Sequence, residues 1–210
     1  LWSSMPDDEL FLLADRGSLR DADVLKRQVT RMLKDVKSRA MVDNFAGQWL
    51  NLAMLDEMVP DPNVFPEFNV DLRNDMKRES LLLFEAIMKE DRSLLDFLDA
   101  DFTFMNARLA KHYGRNGVTG EEFQKVPLDA DRRAGILTHA SILTLTSNPE
   151  RTSPVKRGKW IMENILGESP PPPPPGVPEL EETAKNNPNF TLREQLKLHR
   201  ADPGCASCHK

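Results

Sequence analysis

The sequence predicts an all-α protein: a multi-helix bundle in two subdomains, followed by a polyproline spacer and a C-terminal arm. Three observations carry this expectation. Apolar residues recur at three- and four-residue spacing through most of the first 167 positions, the period of a helix that buries one face. Capping residues and acidic first turns stand ahead of these stripes, with Gly or Pro behind them. An uninterrupted run of six prolines, Pro170 to Pro175, then breaks the chain.

Taken in order, Pro6 suits a first helical turn, Asp7, Asp8 and Glu9 favour its positive end, and Gly17 closes it after Leu10, Leu13 and Ala14. A second helix starts near Asp21 with Val24, Leu25, Val29, Met32 and Leu33 at helical spacing. A third places Met41, Phe45 and Trp49 four apart as a core stripe, flanked by Val42, Ala46 and Leu50. Pro60, Pro62 and Pro66 make residues 56–68 irregular. A long helix over 69–90 turns Leu72, Met76, Leu83 and Ile87 inward and a mixed Arg, Lys, Asp and Glu face to solvent. Residues 93–113 continue the helical pattern, with Thr103 as a cap before Phe104, Leu109 and Tyr113. Gly114, Gly117 and Gly120 mark a boundary, which divides a helical domain at 1–114 from a second helical subdomain at 115–169. Phe123 to Leu128 reads as a short extended segment.

Arg133 to Leu145 is the next apolar-rich helix, and His139 on its face is read as a satisfied histidine rather than a ligand. Ser153 as cap and Pro154 at the first helical position predict a further start, with Gly167 as its stop. Lys156 and Arg157 fall in the first two turns of that helix, where cations are disfavoured and an anion would relieve them. A solvated basic face is the competing reading. The proline run is expected to form a stiff polyproline II spacer of about 19 Å at about 3.1 Å per residue, with a ligand for an aromatic-groove domain as the competing reading. It opens an acidic, polar linker over 170–189. Thr191 and Glu194 then form a capping box for a last helix within 190–210, with Leu192, Leu196 and His199 on one face.

Composition narrows the function. Apolar residues at 40% and charged residues at 29% describe a globular chain with a genuine core. A net charge of −5 argues against a nucleic-acid surface. No run of eighteen apolar residues offers a transmembrane span. Sequences for a nucleophile elbow, a phosphate loop or H-E-x-x-H are missing.

The cysteines supply the only definite cofactor chemistry. Cys205-Ala206-Ser207-Cys208-His209 is the Cys-x-x-Cys-His attachment sequence of haem c. Cys205 and Cys208 can each bond one porphyrin vinyl group, and His209 can reach the iron as proximal axial ligand. A redox dithiol would follow a strand within a βαβ unit, and a structural zinc site wants four ligands; haem attachment is the expectation ahead of both. On that reading His199 is a candidate second axial ligand, against a solvent-exposed or packing histidine, and Lys156 and Arg157 are candidate contacts for the haem propionates. Both ends of the chain are expected to be cuts within a longer protein.

Several longer stretches carry a family resemblance. Leu1-Trp2-Ser3-Ser4-Met5-Pro6-Asp7-Asp8-Glu9-Leu10, Asn44 to Leu50, and Phe104 to Gly114 resemble one uncharacterised domain family. Thr152-Ser153-Pro154-Val155 through Trp160, the proline run and the closing Cys-x-x-Cys-His resemble a second that follows it. Together they resemble the middle of the multidomain cytochrome-c-like proteins of planctomycetes. The resemblance implies a secreted or periplasmic protein with a covalent haem and domains on both sides, and it implies no reaction.

The expected function is therefore a haem-bearing electron-transfer module whose partner is a redox protein or an adjoining domain. A helical interaction scaffold with haem as accessory, and a haem enzyme of peroxidase or oxidase type, are the alternatives.

Overall fold

The computed structural model describes residues 1–128, 133–170 and 189–201. Leu1–Glu168 form one compact unit and Ser169–Lys210 another. In the second unit, α10 (Leu192–Ala201) opens on the expected capping box. The Thr191 backbone N–H donates to Glu194 Oε2 at 2.7 Å, and the Glu194 N–H donates to Thr191 Oγ1 at 3.3 Å.

The first unit opens with α1 (Asp8–Asp15), capped by Asp7 rather than begun by Pro6; the Asp7 side chain accepts from the Leu10 N–H. Asp21 caps α2 (Ala22–Lys34) through the N–H groups of Asp23 and Val24. Arg31 ties the two helices, with its guanidinium 2.6 Å from Asp7. Trp2 is buried against the end of α2, where its indole N–H donates to the Met32 carbonyl at 2.9 Å.

The third helix is interrupted. α3 (Arg39–Met41) and α4 (Gly47–Trp49) are joined by a π-helical turn, Val42–Ala46. Wider winding shifts the buried stripe by one position from that expected. Val42, Ala46 and Leu50 are fully buried, whereas Phe45 is 52% exposed. The Phe45 and Trp49 rings still pack on Phe84, and Trp49 meets Phe97 edge to face at 5.2 Å.

The scaffold is organised on α5 (Val70–Lys89), which Asn69 caps through the Leu72 N–H. Leu72, Met76, Leu83 and Ile87 are buried as the periodicity requires. Its supposed solvent face is not wholly solvated: Asp75, Glu79 and Ser80 are buried too.

Beyond α5 an all-helical reading fails. A short α6 (Asp96–Asp99) leads into strand β1 (Phe102–Met105), which pairs antiparallel with β2 (Gln124–Pro127) in the register Phe102 to Pro127 through Met105 to Gln124. The molecule is thus mostly helical with a small two-stranded sheet. β1 is nearly buried on both faces, so it lacks the two-residue alternation that announces a strand. Thr103 is a strand residue, and Asn106 is the cap, accepting from the Leu109 N–H at the start of α7 (Ala107–His112). The extended segment expected near Phe123 to Leu128 is β2.

The stretch from Arg133 to Leu145 is not one helix. Ile136–Thr138 make a 3-10 turn, His139 is extended, and α8 (Ala140–Leu145) follows. Gly135 dictates this path with φ 56° and ψ −172°, and its Cα lies against the backbone of Phe97 and Leu98 where a Cβ would clash. Such a conformation is essentially confined to glycine. Ser153 and Pro154 start α9 (Pro154–Trp160) as expected, a π-helical stretch continues it to Leu166, and Gly167 in the left-handed region ends it.

Residues on both sides of the Gly114–Gly120 segment share one apolar interior. Val42, Leu50, Leu83, Phe97, Ile136 and Trp160 belong to a single buried cluster. A smaller cluster of Leu72, Met76, Met105, Leu109, Ala110 and Ala140 lies at the other end of α5.

Candidate functional site

At that smaller cluster the interior becomes polar. Glu79, from the middle of α5, is 1% exposed. It receives two hydroxyl donors: Tyr113 at 2.5 Å on Oε2 and Thr103 at 2.7 Å on Oε1. Tyr113 in turn accepts the backbone N–H of Ala140 at 2.7 Å, satisfying the first turn of α8. Three elements therefore converge on one carboxyl group.

The donors fix the direction of a longer chain. Thr103 gives its proton to Glu79, so its oxygen is left to accept from His139 Nε2, 3.4 Å away. His139 Nδ1 must then be the acceptor, and it takes the Ser80 hydroxyl proton at 3.0 Å. Ser80 accepts from Ser141 at 2.6 Å. Between Ser141 and Glu79, the hydroxyls of Ser80 and Thr103 each both give and take. If Glu79 gains a proton, it can donate to Thr103 and the whole relay can reverse, with His139 changing tautomer.

Burial decides the charges. It pushes the Glu79 carboxyl up to about 7, against the pull of the two hydroxyls and of Arg133. It holds the His139 imidazole down to about 3, and Arg133 adds to that. The neutral His139 and Glu79, 3.9 Å apart, are not an ion pair. Tyr113 is pushed well above its ordinary value, first by burial and then by Glu79. Arg133 sits 4.0 Å over the Tyr113 ring and donates to the Thr138 carbonyl at 2.8 Å.

Tyr113, Ala140 and Met76 also wall a cleft of about 610 Å³. Its apolar lining includes Met58, Val59, Phe65, Phe68 and Leu143. The charged lining comprises Arg133, Arg151, Lys156 and Arg157 against Glu57 and Glu67. This volume falls within the range of small-molecule sites, about 300–1,000 Å³.

Among the residues singled out in the sequence, Lys156 and Arg157 thus come together at this cleft. Cys205, Cys208 and His209 lie outside the described residues. His199 belongs to α10, with its side chain outside what is described. Among the described residues, no group of three or more His, Cys, Asp or Glu side chains is placed to hold a metal ion. Nor is any helix there long and apolar enough to cross a membrane.

Sequence reasoning missed Glu79 and Tyr113. The signal for Glu79 was present: it continues the row Leu72, Met76, Glu79, Leu83, a charged residue on an apolar stripe. Tyr113, the chain's single tyrosine, carried no comparable mark.

These features define a mainly helical domain with a ligand-sized cleft backed by a buried polar relay. The chain belongs to the family described as PSD4, Protein of unknown function (DUF1592), whose model matches residues 1–114. Residues 133–210 match a second family, PSCyt3, Protein of unknown function (DUF1588). The two are consecutive domain families of the planctomycete cytochrome-c-like kind. No curated protein matches the chain, and no solved structure does.

Proposed function

We propose that the chain is a c-type haem-bearing electron-transfer module of a larger secreted or periplasmic protein, working with a redox protein or adjoining domains. The observation that supports this reading is the donor set at Cys205, Cys208 and His209, which lies inside the stretch matching the second family. Two thiols three positions apart suit thioether bonds to the two porphyrin vinyl groups. The imidazole next to the second thiol suits the iron's proximal position. His199, six residues before Cys205, is the proposed second axial ligand. With both axial positions filled by protein, haem supplies reversible one-electron chemistry and leaves no open coordination site for a substrate.

The full chain, produced in a periplasm with haem-maturation machinery, tests the reading. A pyridine haemochrome spectrum of haem c and a reversible one-electron couple are expected. Cys205→Ala combined with Cys208→Ala is expected to abolish covalent haem. Colourless protein of unmodified mass would sink the proposal.

A further inference from the structure

The cleft in the helical unit has a charge pattern at odds with the rest of the chain. The protein carries a net charge of −5, yet among the described residues four cationic side chains and two carboxylates line this cavity. Among the described residues, no ion pair joins Glu57 or Glu67 to Arg133, Lys156 or Arg157. Glu67 lies 3.9 Å from His112, not beside an arginine.

Two of these cations, Arg157 and Arg133, are held by neutral groups. Arg157 donates to the hydroxyls of Thr146 at 3.4 Å and Thr152 at 3.1 Å. Arg133 is held by the Tyr113 ring and a backbone carbonyl. Lys156 has no side-chain partner among the described residues. Thus the guanidinium of Arg157 is positioned, but among the described residues its charge has no carboxylate to meet. Beside an apolar wall the effective dielectric falls, and an incoming anion gains more there than at an open surface.

An inorganic anion would use only the charged lining. Met58, Val59, Phe65, Phe68 and Leu143 would stay wet, although such a surface favours an apolar occupant. An uncharged apolar molecule would bring no negative charge to Lys156 and Arg157.

We propose that this cleft binds an amphipathic organic anion, its apolar body against Phe65, Phe68 and Leu143 and its acidic head between Arg157, Lys156 and Arg133. A carboxylate and a phosphate ester share the required chemistry, since the guanidinium fork pairs with either. This site is independent of the haem proposal and is read without haem spectroscopy.

Isothermal titration of the full chain with decanoate, decyl phosphate, decanol and decylammonium tests it. One decanoate or decyl phosphate per chain is expected, binding at least tenfold more tightly than decanol or decylammonium. The tighter of the two anions identifies the head group. Lys156→Gln combined with Arg157→Gln is expected to weaken that anion at least tenfold and to leave decanol unchanged. Lys156→Gln alone, at an exposed side chain without partners, should give a smaller loss and cannot be blamed on misfolding. Equal binding of decanol and both anions, or anion affinity unmoved in both variants, would overturn the assignment.

Discussion

The two halves of α5 meet two different interiors. Toward its C-terminus, Leu83, Phe84 and Ile87 enter a cluster of aliphatic side chains and aromatic rings with Leu50, Trp49 and Phe97. Toward its middle, Glu79 and Ser80 face hydroxyls, an imidazole and a phenol. The first interior is held by shape and by removal of apolar surface from water. Its loss should scale with the volume deleted. The second is held by satisfied donors and acceptors, and its loss should depend on pH. The second borders the cleft through Met76, Tyr113 and Ala140, so the molecule keeps titratable groups where a ligand could influence them.

Gly135 stands between the halves, sending Ile136 into the apolar cluster and His139 into the polar one. Gly135→Ala is the most damaging change expected. A methyl would be forced into the Phe97–Leu98 backbone at a glycine-only φ and ψ. Strain of about 1–3 kcal/mol and overpacking of about 1–3 kcal/mol together predict a loss of about 2–6 kcal/mol in urea unfolding. A loss below 1 kcal/mol would mean that the turn can be rebuilt. Next, Leu83→Ala in the apolar half should cost about 2–5 kcal/mol. That cost should be the same at pH 5 and pH 8, because no titratable group lies in the cluster it opens.

How much of this division the sequence disclosed follows from what each signal measures. Helical periodicity located α5 and its buried Leu72, Met76, Leu83 and Ile87, because burial of a stripe is what periodicity records. Cap chemistry located Asp21, Ser153 and Thr191, because those side chains act on N–H groups within three residues of themselves. β1 was hidden, since burial on both faces erases alternation. Glu79 was assigned to solvent because a carboxylate is normally exposed; only its long-range partners Thr103 and Tyr113 make its burial tolerable. The cleft gathers Phe65, Arg133 and Arg157 from separated stretches, a juxtaposition that local pattern cannot supply. Lys156 and Arg157 were weighed in the sequence as anion contacts against a solvated basic face, and the structure brings both to the cleft.

The polar half should announce itself by a pH profile that changes sign between two variants. Folded, Glu79 is protonated below about 7 and His139 is neutral above about 3. With ordinary values of 4.5 and 6.5, the unfolded chain between those limits ionises Glu79 and protonates His139. Each state then binds one proton across the pair, so the pair contributes almost no slope from pH 4.5 to 6.5. Glu79→Gln leaves His139 alone, whose depressed value makes stability rise with pH between about 3 and 6.5. His139→Gln leaves Glu79 alone, whose raised value makes stability fall as pH rises between about 4.5 and 7. Each slope, taken relative to the unsubstituted chain, should approach about 1.4 kcal/mol per pH unit. Denaturant midpoints at pH 5, 5.5 and 6 suffice; slopes of the same sign in both variants would refute the pairing.

Tyr113→Phe is the finest probe of the contrast, because it changes no volume of consequence and removes one oxygen. That oxygen serves two groups: it donates to Glu79 and accepts from the Ala140 N–H. Without it, the buried N–H at the start of α8 loses its partner, at about 1–3 kcal/mol. Glu79 keeps Thr103 but loses a donor that favours its ionised form, so its carboxyl should move still further above about 7. The sign is again fixed: a higher folded value extends the range over which stability falls with rising pH. The loss caused by Tyr113→Phe should therefore be larger at pH 8.5 than at pH 5.5, where Glu79 is protonated with or without the phenol. Leu83→Ala, measured beside it, should show no such difference. If the Tyr113→Phe loss is the same at both pH values, the phenol does no more than cap α8, and Glu79 draws its tolerance from Thr103 and Arg133 alone.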